Sequence, residues 1–169
     1  MKAFFFTSSI IRYSGTVIAD SVPYHPNISE LSRKTGVVRD ILLRMIDLLR
    51  RADILIALRQ NSAPTGYLTK PEKIYLNNTA LMYALSNNDN PETGTLRETF
   101  FANQLSQQHR LTLPYEGDFM VNNKWVFEIG GKNKSQQQIR NTINAYLVKD
   151  DIITGYKNII PLWLFGFLY

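Results

Sequence analysis

The sequence contains no cysteine and only two histidines. Without thiolates, neither a disulfide framework nor a cysteine-based zinc site can form. His25 and His109 are isolated, and no second ligand lies at the spacing that a histidine-based metal site requires. We therefore expect neither histidine to bind metal or to act as a general base. The absence of cysteine is compatible with a reducing compartment, and we expect the protein to be cytoplasmic.

Motifs that mark several common enzyme classes are also missing. The sequence has no G-x-x-x-x-G-K-[ST] segment, so it lacks the phosphate cradle of a P-loop ATPase. It has neither the G-x-S-x-G nucleophile elbow nor a glycine-rich dinucleotide fingerprint. ATP hydrolysis, α/β-hydrolase chemistry and Rossmann-type dinucleotide binding are therefore not expected of this sequence.

No apolar run is long enough to predict a transmembrane helix. Residues 1–15 contain a lysine followed by phenylalanines, but Thr7 interrupts the apolar run and no small-x-small cleavage site follows. The C-terminal run NIIPLWLFGFLY is much shorter than the roughly 20 residues that a spanning helix needs. We interpret both segments as buried parts of a soluble protein.

What the sequence does have is the composition of a folded protein with a modest positive charge. Apolar residues make up 44% of the chain and aromatic residues 12%, which is enough to form a core. A length of 169 residues is compatible with one domain or two small ones. The net charge of +5 permits contact with nucleic acid but is weak evidence for it.

The first half of the sequence predicts two helices. Asn27 is a suitable N-cap for the first, Glu30 completes a capping box, and Gly36 ends the helix. The second helix is predicted over about 39–51. Its apolar residues recur at helical spacing along one face, namely Leu42, Met45, Ile46 and Leu49, and are widened by Ile41 and Leu48.

A two-stranded ribbon is predicted after these helices. The segments DILIALRQ and KIYLNN alternate as strands do, and the polar loop NSAPTGYLT separates them. A helix at about 79–84 follows. Helix, short turn, helix and ribbon form the outline of a winged helix-turn-helix, which we expect to cover residues 1–88. The segment SNNDNPETG predicts a linker, because Asn, Asp, Pro and Gly are concentrated there.

The second half, residues 89–169, predicts an α/β (α+β) domain with a small mixed sheet. A helix at TLRETFFANQLSQ offers three residues to the core, Leu96, Phe100 and Leu105. Strands are predicted at LTLPY, DFMV and KWVFEI, then a polar helix near SQQQIRNTINA, then a strand at YLVKD before the apolar end. This mixed order indicates helices packed on a central sheet.

Burial of aromatic side chains decides the expected register of the hairpin DFMVNNKWVFEI. A three-residue turn at 122–124 pairs Val121 with Trp125, Phe119 with Phe127, and Asp118 with Glu128. The four apolar side chains then share one face and the two carboxylates meet on the other. A two-residue turn would put the carboxylates on opposite faces. We expect the first register, and asparagine tolerates the backbone conformation that its turn requires.

In combination, the segments GTLRETFFANQL, GDFMV, FEIGGKNK and IPLWLFGFLY resemble the C-terminal region of a family of uncharacterised bacterial AAA-type P-loop ATPases. In that family an ATPase domain precedes a winged helix and a domain similar to the PD-(D/E)XK restriction endonucleases. The resemblance extends from about Ile18 onward. Since no ATPase motif is present, it implies a fragment, a truncated reading frame or a stand-alone relative.

The resemblance implies a nuclease-like site of three acidic residues. Glu98 matches the acidic residue of the family's first helix, and Asp118 and Glu128 match the two acids of the hairpin. In active relatives such carboxylates hold Mg²⁺, which activates a water molecule for phosphodiester hydrolysis. Mg²⁺ is therefore the one cofactor that the resemblance suggests, with Asp118, Glu128 and Glu98 as its ligands.

The lysine of the family pattern, two residues after the second acid, is replaced here by Gly130. The expected site is therefore degenerate, and whether the chain is an enzyme stays open. Lysine side chains are long and flexible, so Lys132 or Lys134 could reach inward from the following turn. We take Lys132 as the candidate activating base.

A structural role for the same residues is also compatible with the sequence. Asp118 can begin a strand as a turn residue, and Glu128 can pair with a lysine such as Lys132. Glu98 can be an exposed helix residue beside Arg97. The sequence alone does not choose between these roles and a metal site.

The predicted winged helix supplies candidate nucleic-acid contacts. Arg39 and Arg44 would lie on the exposed side of the second helix, and Arg33 and Lys34 would contact phosphates from the end of the first. Two aspartates on the same side of the second helix would repel phosphate. Winged helices also serve as rigid protein connectors, so the expected partners are DNA or a protein, including an ATPase domain.

Three functions follow from the sequence. The leading one is a nucleic-acid-associated accessory module of an AAA-type ATPase system with a degenerate nuclease-like site. The second is a non-catalytic protein-interaction or regulatory domain. The third is an active Mg-dependent nuclease.

Overall fold

The computed structural model describes residues 24–62, 66, 68–85 and 91–168. Over these residues the chain is a mixed α+β protein, as predicted. The described residues form four α-helices: α1 Ile28–Thr35, α2 Arg39–Arg51, α3 Thr79–Leu85 and α4 Thr93–Ser106. Their seven strands are β1 Leu55–Leu58, β2 Lys73–Leu76, β3 Leu111–Thr112, β4 Phe119–Val121, β5 Trp125–Gly130, β6 Ala145–Lys149 and β7 Ile159–Pro161. Two 3-10 helices lie at Gln137–Ile139 and Leu162–Phe167.

The strands form two sheets. Antiparallel β1 and β2 make the predicted ribbon. The other five strands form a mixed sheet in the order β3-β4-β5-β6-β7. Neighbouring strands are antiparallel from β3 to β5 and parallel from β5 to β7. The small mixed sheet expected in the second half of the chain is therefore confirmed.

Local sequence signals determine where α1 begins and ends. The Asn27 side chain accepts a hydrogen bond from the Glu30 amide at 3.1 Å, which satisfies a backbone donor of the first turn. At the other end Gly36 adopts φ 69°, a left-handed conformation that glycine accepts without strain. Its amide donates to the Ser32 carbonyl at 2.8 Å. The predicted N-cap and the predicted end of this helix are confirmed. Glu30, expected to complete a capping box, instead accepts from the Asn27 side-chain amide at 3.5 Å and pairs with Lys34.

Helix α2 packs through most of the predicted face, since Leu42 is buried and Ile46 and Leu49 pack against buried clusters, but the face is widened on the other side from the one expected. Leu42 and Leu43 are buried in a small cluster with Ile28 and Val37. Ile41 and Leu48, which were expected to widen the buried face, are 49% and 59% exposed. At 100° per residue these two side chains lie on the side of the helix away from Leu43, so that expectation was wrong.

The β1–β2 ribbon is buried on both of its faces. One face, formed by Leu55, Ile74 and Leu76, packs with Met82 and the apolar residues of α2 and α3. The other face contributes to the central core, a cluster of buried residues that joins the ribbon, α4 and the five-stranded sheet. Ile56, Leu58 and Tyr75 are its members from the ribbon. Side chains alternate along a strand, so Lys73 points to the same side as Tyr75.

The central core is dominated by aromatic rings between α4 and the sheet. Phe101 of α4 lies 5.1 Å from Phe119, 5.1 Å from Phe127 and 4.7 Å from Phe165, measured between ring centroids.

The expected linker around residue 88 lies largely in segment 86–90, outside the described residues. The core includes Tyr75 on one side of that segment and Phe101 on the other. The division into two domains stays a prediction.

The polar helix predicted near SQQQIRNTINA is not formed. A 3-10 turn at Gln137–Ile139 takes its place, and Asn144 adopts a left-handed φ of 55° before β6 begins. Ile139 packs against Val126 and Leu147. Ile143, one helical turn later, is 83% exposed. With only Ile139 buried, the segment has no continuous apolar stripe to stabilise a helix.

Burial was predicted for both apolar ends of the sequence, and the structure describes only one of them. The N-terminal segment lies outside the described residues. At the C-terminal end Leu162 and Phe165 are buried, whereas Trp163 and Phe167 are exposed, so the prediction of burial holds for only part of that segment. Among the described helices, none is both long enough and apolar enough to cross a membrane.

Candidate functional site

The β4–β5 hairpin has the register predicted from its aromatic residues. Phe119 is opposite Phe127 and Val121 is opposite Trp125. The three-residue turn closes with a 3.1 Å hydrogen bond from the Lys124 amide to the Val121 carbonyl. Asn122 and Asn123 in this turn adopt φ of 52° and 56°, which asparagine accepts more readily than most residues. The apolar face of the hairpin lies on the central core, as predicted.

Asp118 lies just outside this ladder. Its amide donates to the Phe127 carbonyl at 2.9 Å, and its Oδ2 accepts from the Ile129 amide at 2.8 Å. The carboxylate therefore joins the two strands through a side chain. Gly117 before it has φ 92°, and a Cβ there would lie 2.9 Å from Val126 Cγ1, so glycine is required at this entry to the strand.

Glu98 is buried on α4, with 8% of its surface exposed. The Tyr75 hydroxyl donates to its Oε2 at 2.5 Å. Burial raises the pKa of Glu98, and the charge of Asp118 raises it further, against the opposing effects of Lys73 and Tyr75. The alternative of an exposed Glu98 beside Arg97 is therefore wrong. Arg97 instead makes a 2.9 Å ion pair with Asp150.

A single ammonium group lies between Glu98 and Asp118. Lys73 Nζ is 3.6 Å from Glu98 Oε2 and 3.6 Å from Asp118 Oδ1. Only 12% of the Lys73 side chain is exposed, so water screens these contacts weakly. The lysine reaches this position because it shares a side of β2 with Tyr75.

Glu128 is fully buried, with 0% of its surface exposed. Lys134 Nζ lies 2.5 Å from its Oε1. The approach is a close ion pair and not an aligned hydrogen bond, and Oε2 has no hydrogen-bond partner among the described residues. Burial raises the pKa of Glu128, and Asp118 adds to the rise while Lys134 opposes it.

Lys134 occupies the space above Gly130. A Cβ at position 130 would lie 2.5 Å from both Cβ and Cγ of Lys134. A side chain at residue 130 would therefore compete with Lys134 for the same space. Burial alone would lower the pKa of Lys134, but contact with Glu128 outweighs burial and leaves the pKa raised.

We expected Lys132 in this position. Lys132 is exposed, and its carbonyl accepts a 2.9 Å hydrogen bond from Lys149 Nζ. The ammonium beside Glu128 belongs to Lys134, which reaches back because its amide donates to the Gly131 carbonyl in a tight turn. Lys134 is therefore the correct candidate for the lysine of this site.

The carboxylate cluster, defined as Glu98, Asp118 and Glu128, does not fit a divalent cation. Within the described ranges, no group of three or more Asp, Glu or His side chains has an arrangement that could hold a metal ion. Lys73 lies between two of the carboxylates, where it would repel a divalent cation. Oxygens of those two carboxylates also accept hydrogen bonds from Tyr75 and the Ile129 amide.

Sequence reasoning missed Lys73 and Tyr75. Both belong to KIYL, which we interpreted only as the second strand of the ribbon. Strand alternation could have indicated that these two side chains lie together. Lys73 and Tyr75 share one side of the strand, and Ile74 and Leu76 lie on the other. A lysine on a strand side that also carries a buried tyrosine needs a nearby carboxylate.

The candidate nucleic-acid contacts lie on α1 and α2, on elements that do not carry the carboxylate cluster. Arg33, Lys34, Arg39 and Arg44 are all exposed. Lys34 makes a 2.7 Å ion pair with Glu30, so part of its charge is compensated. Their role in binding nucleic acid stays a prediction.

No protein-family model matches this chain, and comparisons with curated proteins and with solved structures find no match either. The chemistry of the site is therefore argued from its own residues.

Proposed function

We propose that this chain is a nucleic-acid-associated accessory module of an AAA-type ATPase system, with a winged helix and a restriction-endonuclease-like domain whose nuclease-like site is degenerate. The observation that supports the degenerate site is the Lys73 ammonium, 3.6 Å from both Glu98 and Asp118. The resemblance of the quoted segments supports the link to an ATPase system.

Charge compensation supports a site that does not hydrolyse phosphodiesters. The carboxylate cluster is neutralised in part by two ammonium groups of the protein itself, those of Lys73 and Lys134. In metal-dependent hydrolysis, carboxylates hold a cation that activates water and stabilises developing charge. An ammonium fixed between two of those carboxylates supplies charge but cannot coordinate water as a divalent cation does.

The exposed basic residues of α1 and α2 support association with nucleic acid. Arg33, Arg39 and Arg44 are exposed, and the chain has a net charge of +5. Arginine contacts to phosphate release condensed counterions, so such binding weakens as salt increases. Asp47 forms a 2.9 Å ion pair with Arg50, which reduces the repulsion that we expected from an aspartate on this surface.

The test is duplex-DNA binding measured by fluorescence anisotropy over a series of salt concentrations. We expect affinity to fall as salt rises, and Arg39→Ala and Arg44→Ala each to reduce the slope by about 1. Arg140→Ala, which removes the same charge from an exposed site in the other half of the chain, is the matched control and should leave the slope almost unchanged. Absence of binding at low salt would refute nucleic-acid association.

Cleavage tests the degenerate site separately. Plasmid DNA incubated with Mg²⁺ or Mn²⁺ should remain uncut by the wild-type protein. Asp118→Asn is the control, because any cleavage common to both proteins comes from a contaminant. Metal-dependent cleavage that disappears in Asp118→Asn would show an active nuclease and refute the degenerate site.

Exposed apolar residues on α2 favour a second candidate, a protein-interaction domain. Ile41 and Leu48 are 49% and 59% exposed and lie seven residues apart on one side of the helix. In that case DNA binding is absent, and an Ile41→Ser/Leu48→Ser variant keeps its stability but loses association with a protein partner such as an ATPase domain.

A further inference from the structure

We propose that Lys73 and Asp118 condense to form an isopeptide bond, an amide between the Lys73 Nζ and the carboxyl carbon of Asp118, with release of one water molecule. The bond joins the β1–β2 ribbon covalently to the residue before β4. The inference goes beyond the proposed function, because the condensation needs neither nucleic acid nor an ATPase partner.

The reacting groups lie together where little water reaches them. Lys73 Nζ is 3.6 Å from Asp118 Oδ1 and 3.6 Å from Glu98 Oε2. The side chains of Lys73, Asp118 and Glu98 are 12%, 14% and 11% exposed. An amine held beside a carboxyl group reacts at a high effective concentration, and the exclusion of water protects the amide from hydrolysis.

The two oxygens of Asp118 have different surroundings, which suits them to different roles. Oδ2 accepts a 2.8 Å hydrogen bond from the Ile129 amide, whereas Oδ1 faces the Lys73 ammonium. When the lysine nitrogen attacks the carboxyl carbon, negative charge develops on the oxygen that remains. The Ile129 amide stabilises that charge on Oδ2, which becomes the amide carbonyl oxygen, and Oδ1 leaves as water.

Glu98 carries a proton from the nucleophile to the leaving group. The first proton of the ammonium passes to Asp118 Oδ1, which leaves a neutral amine and a neutral carboxyl group. As the nitrogen–carbon bond forms, the Glu98 carboxylate takes a second proton from the Lys73 nitrogen and returns it to Oδ1. The bond from the carboxyl carbon to Oδ1 then breaks and water departs. Glu98 ends unchanged, so atoms and charges balance without another reactant.

Burial also favours the product. An ammonium and a carboxylate that are both largely buried have lost most of their hydration, and their mutual attraction repays that loss only in part. The amide is neutral, so condensation removes both buried charges at once. The carbonyl oxygen of the amide keeps the hydrogen bond from the Ile129 amide.

The other buried lysine–carboxylate pair lacks these features. Lys134 Nζ is closer to its partner, 2.5 Å from Glu128 Oε1, but the Lys134 side chain is 37% exposed. Among the described residues, no backbone amide donates a hydrogen bond to the Glu128 carboxyl group. Water therefore reaches the lysine, and no donor stabilises a developing oxyanion. We assign the bond to Lys73 and Asp118 alone.

The test is the intact mass of the full chain, measured by mass spectrometry under denaturing conditions before and after prolonged incubation of the folded protein. We expect a mass below that calculated from the sequence by one water molecule. A tryptic digest locates the bond, because trypsin does not cut after a lysine whose Nζ is in an amide. Residues 60–97 should stay in one piece, joined to residues 111–124. Without the bond, trypsin cuts after Lys73.

Four variants test the roles of the residues, and circular dichroism checks that each one folds. Lys73→Met lacks the nucleophile and Glu98→Gln lacks the proton acceptor, so both should keep the masses calculated from their sequences. Asp118→Asn should lose one ammonia molecule in place of water, because its leaving group is nitrogen. Lys70→Met is the matched control. Lys70 is exposed and lies three residues before Lys73, so its replacement should leave the condensation intact.

Three results would overturn the inference. The first is a wild-type mass that still equals the calculated mass after incubation, a result that depends on no variant. The second is a loss of water that persists in Lys73→Met or in Glu98→Gln. The third is a branched peptide that joins other residues, such as Lys134 and Glu128. All three are independent of the DNA-binding and cleavage tests, since no nucleic acid is present.

Discussion

Replacing Gly130 with alanine should destabilise the fold by about 1–3 kcal/mol, the usual cost of forcing an extra methyl group into a packed site. The new Cβ would lie 2.5 Å from Cβ and Cγ of Lys134. These atoms are near the lysine backbone, so rotation of the ammonium end cannot relieve the overlap. The whole lysine stem has to leave its position beside Glu128.

Two effects contribute to the expected destabilisation by Gly130→Ala. Displacement of the Lys134 stem costs packing, and loss of its ammonium leaves Glu128, which is 0% exposed, without its nearest cation. A fully buried broken pair costs about 3–5 kcal/mol. The Lys134 side chain is 37% exposed, so solvent screening brings the expected cost toward the lower end of our range.

A double-mutant cycle isolates the overlap. Urea unfolding should give Lys134→Gly, which removes the overlapping Cβ as well as the stem, a lower free energy of unfolding, because Glu128 loses its cation. Adding Gly130→Ala to Lys134→Gly should then cost almost nothing, since Cβ and the rest of the lysine side chain are absent and alanine suits a strand better than glycine. We expect a coupling energy of about 1–3 kcal/mol. Additive costs, agreeing within about 0.5 kcal/mol, would refute the placement of Lys134 over Gly130.

Two further predictions concern Glu98. Tyr75→Phe removes the donor to its buried carboxylate and should cost about 1–3 kcal/mol in urea unfolding at pH 7, with little loss in a Glu98→Gln background. Because the folded-state pKa of Glu98 is raised above 4.5, its contribution to stability is present below that pH and is lost as pH rises through the raised pKa. Wild-type stability should therefore fall more than that of Glu98→Gln between pH 4.5 and 7, and equal slopes would contradict the raised pKa.

The hairpin and the first helix could be predicted because their signals are local. Pairing of Phe119 with Phe127 follows from burying aromatic side chains on one face of a short ribbon. The limits of α1 follow from an asparagine N-cap and a glycine at the C-terminal end. In each case the deciding residues lie within about ten positions of one another.

The partners of the carboxylate cluster could not be predicted in the same way. Lys73 and Asp118 meet across the central core although they are far apart in sequence, and only the packing of the ribbon onto α4 brings them together. Lys134 replaces Lys132 because the turn after Gly131 determines which ammonium reaches back. The spacing of residues in the sequence does not predict the geometry of that turn. For α2, periodicity gave the helix and most of its packed face, but not the burial of Leu43 or the exposure of Ile41 and Leu48.

Melting temperature with and without Mg²⁺ tests most directly whether lysines of this protein take the place of a metal ion. At about 10 mM Mg²⁺, a site with a dissociation constant of about 1 mM would stabilise the folded state by about 1.4 kcal/mol. That gain would raise the melting temperature by several degrees. At constant ionic strength, we predict no difference for the wild-type protein, because Lys73 already lies between Glu98 and Asp118. A Mg²⁺-dependent rise that Asp118→Asn abolishes would contradict this prediction.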